Sequence, residues 1–401
     1  MQAAKPFLLI LFGVLLSLII IEMPRAMAFI PGFIALAVLA LYSIKDKNPP
    51  DIPTRSIATI GAVFALAGLS YFWSYDTANT VQRSFKIAPL FIVGALCVTW
   101  GQNFKTAHIR PYFTLLSAAL IAGALLVVAE LHFLSPLYKI IRGLEDSQFV
   151  QDAVYNRGTN ILVISCFCTM SYWLHSAKKP LYALLLMASI FTLMTYTDSQ
   201  SAQLAFVAGL IFFFAFPYRF KAAWYGLIGL ITLGLCGAPF IAPWLYSHAD
   251  YINTLPFLGG NMGYAGPRLE IWDYVSRYAL QSPILGYGVD STRVITDFDS
   301  AQTYIAGNTI LHPHNFALQI WIEFGALGAL CGSILIGWII YSIKNVENIT
   351  AQRACLASLI AALSIFTTGY GMWQSWWLGA IFFTLAHCLF ICRLHKETPQ
   401  T

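Results

Sequence analysis

The sequence predicts an all-α integral membrane protein with about twelve transmembrane helices. Of its 401 residues 58% are hydrophobic and only 10% are charged, whereas a soluble domain carries about 25% charged residues. The mean hydropathy is +0.68, and long apolar runs recur almost from end to end. In hydrocarbon every backbone N–H and C=O needs a partner within the segment, so runs of this length are expected to form helices.

The apolar runs divide the chain into three parts. We expect nine spans in residues 1–244, a polar loop in residues 245–314, and three spans with a tail in residues 315–401. The first run could pass for a signal peptide, but no A-x-A-type cleavage site follows it, and it is interpreted as a span. The predicted spans lie near residues 5–21, 26–44, 56–74, 86–101, 112–132, 159–175, 181–197, 200–216, 222–244, 315–343, 352–370 and 373–392.

The distribution of Lys and Arg predicts the orientation. With alternating spans, fourteen of the 23 basic residues fall on one side, mostly in short connections and tails, and nine fall on the other. Basic residues near span ends are retained in the cytoplasm. Both termini are therefore predicted to be cytoplasmic, and the long connections 133–158 and 245–314 are predicted to lie on the outer face.

Several function classes are excluded by what the sequence lacks. It has no G-x-x-x-x-G-K-[ST] phosphate loop, no G-x-S-x-G elbow and no H-E-x-x-H pair. The net charge of +5 is scattered, so no nucleic-acid partner is expected. All eight cysteines lie in or beside apolar runs, where they are expected to act as packing residues, and no metal site is predicted.

The outer loop 245–314 contains one segment with helical periodicity. In Pro267–Leu280 the apolar residues recur at helical spacing, which predicts a short amphipathic helix on the membrane surface or against the spans. A turn-rich segment, P-I-L-G-Y-G-V-D, follows it. Because a structureless loop of this length is unusual, we expect a small outer subdomain.

Two histidines stand where this loop enters the tenth predicted span. Pro313 is expected in the first turn of that helix, which would place His314 near its N-terminus. The partial positive charge there disfavours imidazolium, and a neutral ring can accept a proton as a general base. Two positions apart, His312 and His314 cannot share a helix face, so a metal site built from them alone is not expected. The alternative is a histidine that only anchors the interface by hydrogen bonds.

Basic residues at the predicted outer ends of spans are the candidates for binding an anion. Arg157 precedes a span, Arg268 begins the amphipathic helix, and Arg83 and Lys86 precede the fourth span. The planar guanidinium donates paired hydrogen bonds that suit phosphate. Each alone is more often a surface charge, but a group of them facing one histidine would form a lipid-phosphate site.

Glu323 lies nine residues after His314 in the same apolar run. Nine steps of 100° place the two on roughly opposite faces of a helix. Glu323 is therefore predicted to pair with another helix in a structural role rather than to orient the histidine.

These motifs resemble the O-antigen ligase and polymerase family of bacterial membrane glycosyltransferases. The resemblance rests on about a dozen spans, a large late loop, an R-x-x-x-W element in that loop, and H-N-x-x-L-x-x-x-x-E-x-G-x-x-G where the chain re-enters the membrane. In this sequence the two motifs read Arg268 and Trp272, then His314, Asn315, Leu318, Glu323, Gly325 and Gly328.

The resemblance implies a GT-C-like fold in the bacterial inner membrane with a periplasmic active site. It implies a glycan donor linked to undecaprenyl diphosphate, a glycan acceptor such as lipid A-core, and no cofactor or metal. His314 would deprotonate the acceptor hydroxyl, and Arg268 would bind the donor's pyrophosphate. His312, Asn315, Arg83 and Lys86 are further predicted substrate-binding residues.

The chain departs from the family pattern at one point. The family often has an arginine after an S-x-S turn, but residues 199–203 read S-Q-S-A-Q. We interpret Arg157 as the residue that supplies the missing charge. A polymerase that uses the same donor remains an alternative, and a lipid-linked oligosaccharide or anion transporter is a second one. The near absence of charged residues within the spans argues against transport.

Overall fold

A computed structural model of the chain describes residues 21–255, 265–307 and 309–396. These residues form helices, turns and loops and contain no strand, which confirms the predicted all-α class. The α-helices, numbered here in chain order, are α1 (Ile30–Asp46), α2 (Thr54–Leu69), α3 (Thr77–Asn103), α4 (Thr106–His132), α5 (Pro136–Arg142), α6 (Asn156–Ser171), α7 (Pro180–Tyr196), α8 (Gln200–Ala215), α9 (Lys221–Tyr246), α10 (Ala249–Thr254), α11 (Ala265–Ala279), α12 (Phe316–Lys344), α13 (Ile349–Thr368) and α14 (Ser375–Lys396).

Seven helical stretches in the described ranges are long and apolar enough to cross a membrane. The predicted count of about twelve spans is not confirmed, because α1, α6, α7 and α8 have only 17, 16, 17 and 16 residues. At 1.5 Å per residue they extend about 25 Å, slightly less than a hydrocarbon core of about 30 Å. The first predicted span, 5–21, lies almost entirely outside the described residues. The seven stretches are Thr54–Trp73, Thr77–Asn103, Thr106–His132, Lys221–Tyr246, Phe316–Lys344, Ile349–Thr368 and Ser375–Leu394.

Helix α6 is the centre of the larger of two buried clusters. Every residue from Gly158 to Ser171 is buried, and the helix packs against α4, α7, α8, α13 and α14. Helices α6 and α8 approach closely at Gly209 of α8, where a Cβ atom would overlap the ring of Phe167 on α6. Burial on every side explains why the predicted span 159–175 carries no polar stripe.

The second cluster joins α9, α11 and α12. Helix α11 is the predicted amphipathic helix, and its Leu269 and Val275 are buried. The Trp272 indole Nε1 donates a hydrogen bond to the Pro313 carbonyl over 3.0 Å. Because α11 packs on α9 and α12, it holds the segment with the two histidines directly against the helices.

Helix α12 is interrupted at Gly325, where φ is 58° and ψ is −153°. The turn-rich segment 283–288 lies in this break: the Tyr287 N–H donates to the Ile322 carbonyl over 2.8 Å, and the Ala326 N–H donates to the Pro283 carbonyl over 2.8 Å. A Cβ on Gly325 would lie 2.5 Å from the Ile284 carbonyl oxygen. The turn 283–288 and the break of α12 at Gly325 therefore form one interlocked unit.

Candidate active site

A cavity of about 420 Å³ lies where several helices begin. Arg157 is the second residue of α6, Trp376 is the second of α14, and Gln319 is in the first turn of α12. Helix N-termini carry partial positive charge and favour anions. The lining residues are Arg25, Ala28, Phe29, Arg83, Arg157, Asp290, Arg293, His312, Gln319, Gly371, Trp373, Gln374, Ser375 and Trp376.

Four arginines face this cavity. Arg83 and Arg293 both pair with the Asp290 carboxylate, Arg293 through its Nε at 2.6 Å. The Arg157 Nε is buried without a hydrogen-bond partner among the described residues. With Arg25 as the fourth arginine and Asp290 as the one acidic residue of the lining, the cavity is strongly positive. Guanidinium groups in this arrangement suit a phosphate or pyrophosphate.

Asp290 holds two of these arginines in place. Its backbone is left-handed, with φ 57°, and its carbonyl accepts a hydrogen bond from the Asn79 amide over 3.3 Å. Burial raises the pKa of the carboxyl above its usual value, and the charges of Arg83 and Arg293 oppose that rise. The loop that follows the 283–288 turn thus fixes the charge pattern on one wall of the cavity.

The two histidines lie together beside this cavity. Their ring centroids are 4.2 Å apart, and the His314 N–H donates to Nδ1 of His312 over 3.3 Å. The prediction that Pro313 starts the helix is wrong: α12 begins at Phe316, and Asn315 caps it by accepting hydrogen bonds from the next turn. His314 precedes the cap with φ 53°. That left-handed residue reverses the chain and brings together two rings that helical geometry would have separated.

The hydrogen bonds of His314 define its tautomer. Nδ1 lies 2.6 Å from the Gly369 carbonyl oxygen, which can only accept, so Nδ1 carries the proton. A neutral ring then has a free lone pair on Nε2. Burial lowers the pKa of His314, the Arg268 charge lowers it further, and the bond to Gly369 acts in the opposite sense. The lowered pKa favours the neutral ring, and burial rather than the helix terminus is its main cause.

His312 is the histidine that lines the cavity. Burial, with smaller contributions from the charges of His314 and Arg293, lowers its pKa to about 3. Its Nε2 lies 3.3 Å from the side-chain amide nitrogen of Gln374. His312 is therefore an uncharged polar group between His314 and the arginines. Among the residues that the structure describes, no cluster of three or more His, Cys, Asp or Glu could hold a metal ion.

The remaining predicted site residues occupy different positions. Arg268 is half-buried on α11 and acts on His314 electrostatically. Asn315 caps α12. Lys86 is exposed on α3 and is not part of the cavity lining. Of the predicted set, the structure brings Arg83, Arg157 and His312 into one cavity, with His314 beside it.

The helix that carries Arg157 contacts the serine-rich turn that lacks an arginine. One helical turn after Arg157, the Asn160 amide donates to the Ser199 hydroxyl over 3.5 Å. A Cβ on Gly369 would lie 3.5 Å from the Ser201 hydroxyl, so this turn also reaches the carbonyl that binds His314. This proximity supports the interpretation that Arg157 supplies the charge missing after Ser201.

Part of the cavity lining was not predicted from the sequence. Arg25 and Arg293 were predicted to lie on the same side as the chosen arginines, which was the available signal, but neither was selected. Gln374 and Trp376, at the start of α14, gave no signal, because no motif includes the loop before that helix.

Comparison with known proteins points to the same family. Residues 182–332 match the family model described as O-antigen ligase. A Rickettsia conorii protein named "Putative polysaccharide ligase" is 31% identical over 236 residues, which cover 56% of this chain and 54% of that protein. A Rickettsia bellii protein of the same name is 28% identical over 328 residues, covering 79% of this chain and 76% of its own. The chain thus spans about half the length of the first of these relatives.

The family model begins in α7 and ends within α12, so it includes α11, the interlocked turn and both histidines. The geometry and the matches agree with the resemblance carried by the two sequence motifs. Together these matches support the O-antigen ligase family for this chain.

Proposed function

We propose that this chain is a glycosyltransferase of the O-antigen ligase type. It transfers a polysaccharide from undecaprenyl diphosphate to an outer-leaflet acceptor such as lipid A-core, without a metal ion. The observation that carries this proposal is that four arginines and His312 line one cavity and that the His314 ring lies directly beside His312. General-base catalysis and anion binding are the two functions that such a transfer requires.

His314 acts as the general base. Its Nδ1 proton is committed to the Gly369 carbonyl, so Nε2 takes the proton from the acceptor hydroxyl. The hydroxyl oxygen bonds to the anomeric carbon of the donor sugar as the bond from that carbon to the phosphate oxygen breaks. The electron pair leaves with undecaprenyl diphosphate, and the proton remains on His314. Lowered basicity keeps the ring neutral before the step.

The arginines bind the pyrophosphate and stabilise the negative charge that develops as it leaves. Arg157 is the best candidate for direct contact, because its Nε has no hydrogen-bond partner among the described residues. Arg83 and Arg293 are kept in place by Asp290. Arg268, which acts on His314, would place positive charge between the leaving group and the base.

The position of the cavity supports an outer-face active site. It lies at the N-terminal ends of α3, α6, α12 and α14, which correspond to the fourth, sixth, tenth and twelfth predicted spans. In a chain whose spans alternate, all even-numbered spans begin on the same side. With the termini placed in the cytoplasm by the basic residues, that side is the periplasm.

Transfer by the purified protein tests the proposal. Full-length protein in lipid nanodiscs is incubated with undecaprenyl-diphosphate-linked polysaccharide and lipid A-core, with EDTA present. Wild type should form the linked product, and His314→Ala should lose at least about 100-fold in rate. His248→Ala, at an exposed histidine outside the cavity, is the matched control and should retain activity. Full activity of His314→Ala would refute the mechanism, and chain extension of the donor without lipid A-core linkage would favour the polymerase.

A further inference from the structure

The buried carboxylate of Glu323 connects α12 to the segment that approaches both histidines. Glu323 is fully buried. Its Oε2 accepts a hydrogen bond of 2.6 Å from the Trp373 indole, and its Oε1 accepts one of 2.7 Å from the Gln319 amide. Gln319 in turn accepts from the Met372 backbone N–H over 2.8 Å. Residues 369–374, called here the α13–α14 loop, are thus attached to α12 at two successive residues.

The same loop contacts both imidazole rings. The Gly369 carbonyl accepts the Nδ1 proton of His314. Gly371 packs against the other ring, since a Cβ placed there would lie 2.9 Å from Cγ of His312. The Gln374 amide lies 3.3 Å from Nε2 of His312. Every contact that this loop makes with the histidines therefore depends on where the loop is held.

Other contacts also hold the loop: the Tyr370 hydroxyl accepts a hydrogen bond from the Asn160 amide over 3.4 Å, and its ring packs against Trp376. Its first residue continues α13 through a hydrogen bond from the Gly369 N–H to the Ile365 carbonyl, and its last residues lead into α14. Between these ends, Met372 and Trp373 make the polar contacts that join the loop to α12, Met372 through Gln319 and Trp373 directly to Glu323. A carboxylate accepts from both donors at once, whereas an amide in its place would present an N–H to one of them.

We propose that Glu323 is a positioning residue: by holding the α13–α14 loop it aims the Gly369 carbonyl at His314 and so orients the imidazole and selects its tautomer. The catalytic consequence rests on the proposed function of His314. Glu323 was predicted to pair with another helix rather than to orient the histidine; its partners are instead Gln319 on its own helix and Trp373 in the α13–α14 loop. It acts through another segment of the chain rather than along its own helix.

Modification of histidine by diethyl pyrocarbonate tests the contact independently of transfer. The reagent acylates the free lone pair of a neutral imidazole, and mass spectrometry measures the rate at His314. In Glu323→Gln the rate should rise about fivefold or more, because the loop opens more often. Glu347→Gln, the same substitution at an exposed position after α12, should match wild type. Equal rates in all three proteins would overturn the proposal.

A second variant keeps the test valid if Glu323→Gln fails to fold. Trp373→Phe removes the indole N–H together with part of the ring and should also raise the labelling rate, with Trp244→Phe at an exposed tryptophan as its control. In the double variant His314 should be labelled no faster than in the faster single variant, because both substitutions break the same hydrogen bond between Glu323 and Trp373. Independent, multiplying effects would overturn the proposed connection.

Transfer kinetics provide the functional readout. With undecaprenyl-diphosphate-linked polysaccharide as donor, Glu323→Gln should lower kcat about tenfold or more with KM for the donor changed by less than about twofold, since misorientation affects the chemical step. A rise in KM alone would contradict a role in orienting the base. If wild type transfers nothing while Glu323→Gln still accelerates labelling, the proposed function fails and the positioning contact stands.

Discussion

The interlock between the α12 break and the 283–288 turn predicts that Gly325→Ala is severely destabilising. The backbone at Gly325, φ 58° and ψ −153°, lies in a region that residues with a Cβ avoid, and such strain costs about 1–3 kcal/mol. The new methyl group would also lie 2.5 Å from the Ile284 carbonyl oxygen and 2.7 Å from the Leu285 nitrogen. These neighbours are backbone atoms, so they cannot rotate away as a side chain could.

Relief of that overlap requires the turn to leave the break. Four backbone hydrogen bonds hold it there, from Tyr287 and Gly288 to α12 and from Ala326 and Leu327 to the turn. At about 0.5–1.5 kcal/mol each, their loss adds about 2–6 kcal/mol. Separation would also displace the loop that carries Asp290. We therefore expect Gly325→Ala to lower the free energy of unfolding by at least about 3 kcal/mol.

Unfolding in mixed micelles by added SDS measures this loss, and hydrogen exchange of peptides covering 283–288 locates it. The matched control is Gly229→Ala in α9, where the added Cβ meets nothing within 4 Å and φ is not positive. It should be neutral or slightly stabilising, by up to about 1 kcal/mol. The energetic role of the interlock would be refuted if Gly325→Ala unfolds at the same SDS concentration as Gly229→Ala and the amides of 283–288 exchange as slowly as in wild type.

Three further predictions concern the site. The pKa of His312 is lowered from 6.5 to about 3, so the unfolded chain binds this proton more tightly than the folded one. Stability should then fall by about 2 kcal/mol between pH 7.5 and 5 from this group, and His312→Gln should remove that part of the slope in unfolding titrations. Trp272→Phe removes the hydrogen bond to Pro313 and should cost about 1 kcal/mol while accelerating pyrocarbonate labelling of the neighbouring histidines; unchanged labelling would show that α11 does not hold that segment. Asp290→Asn removes the carboxylate that pairs with Arg83; calorimetry should show pyrophosphate binding up to about tenfold tighter at low salt, and weaker binding would mean that ordering the arginines outweighs their added charge.

Part of the site could be predicted from local pattern. The amphipathic helix was predicted at Pro267–Leu280 and found at Ala265–Ala279, because an apolar stripe at period 3.6 is a property of the segment itself. The start of α12 was misplaced by three residues, since Pro313 suits a first turn in general, whereas Asn315 actually caps the helix. Asn is a strong capping residue, so the correct signal was present one position beyond His314.

The cavity could not be predicted in the same way. Arg25, Arg83, Arg157 and Arg293 are separated by more than fifty residues each, and no spacing rule connects them. The sequence placed them on one side of the membrane through the count of basic residues, which reduces the choices without selecting among them. Their selection depends on the packing around α6 and on the position of the 283–293 segment.

The amino-acid sequence by itself determined that the chain is helical and apolar enough for a membrane, that a loop with an R-x-x-x-W element precedes an H-N motif, and which family these motifs resemble. These properties follow from composition, periodicity and short spacings. Only the tertiary structure decided that Gly369 holds the His314 proton, that Asp290 joins two arginines, and that Glu323 positions the loop between them. Except for the pair of Asp290 with Arg293, these contacts join residues at least 50 positions apart, so they depend on how the helices pack together.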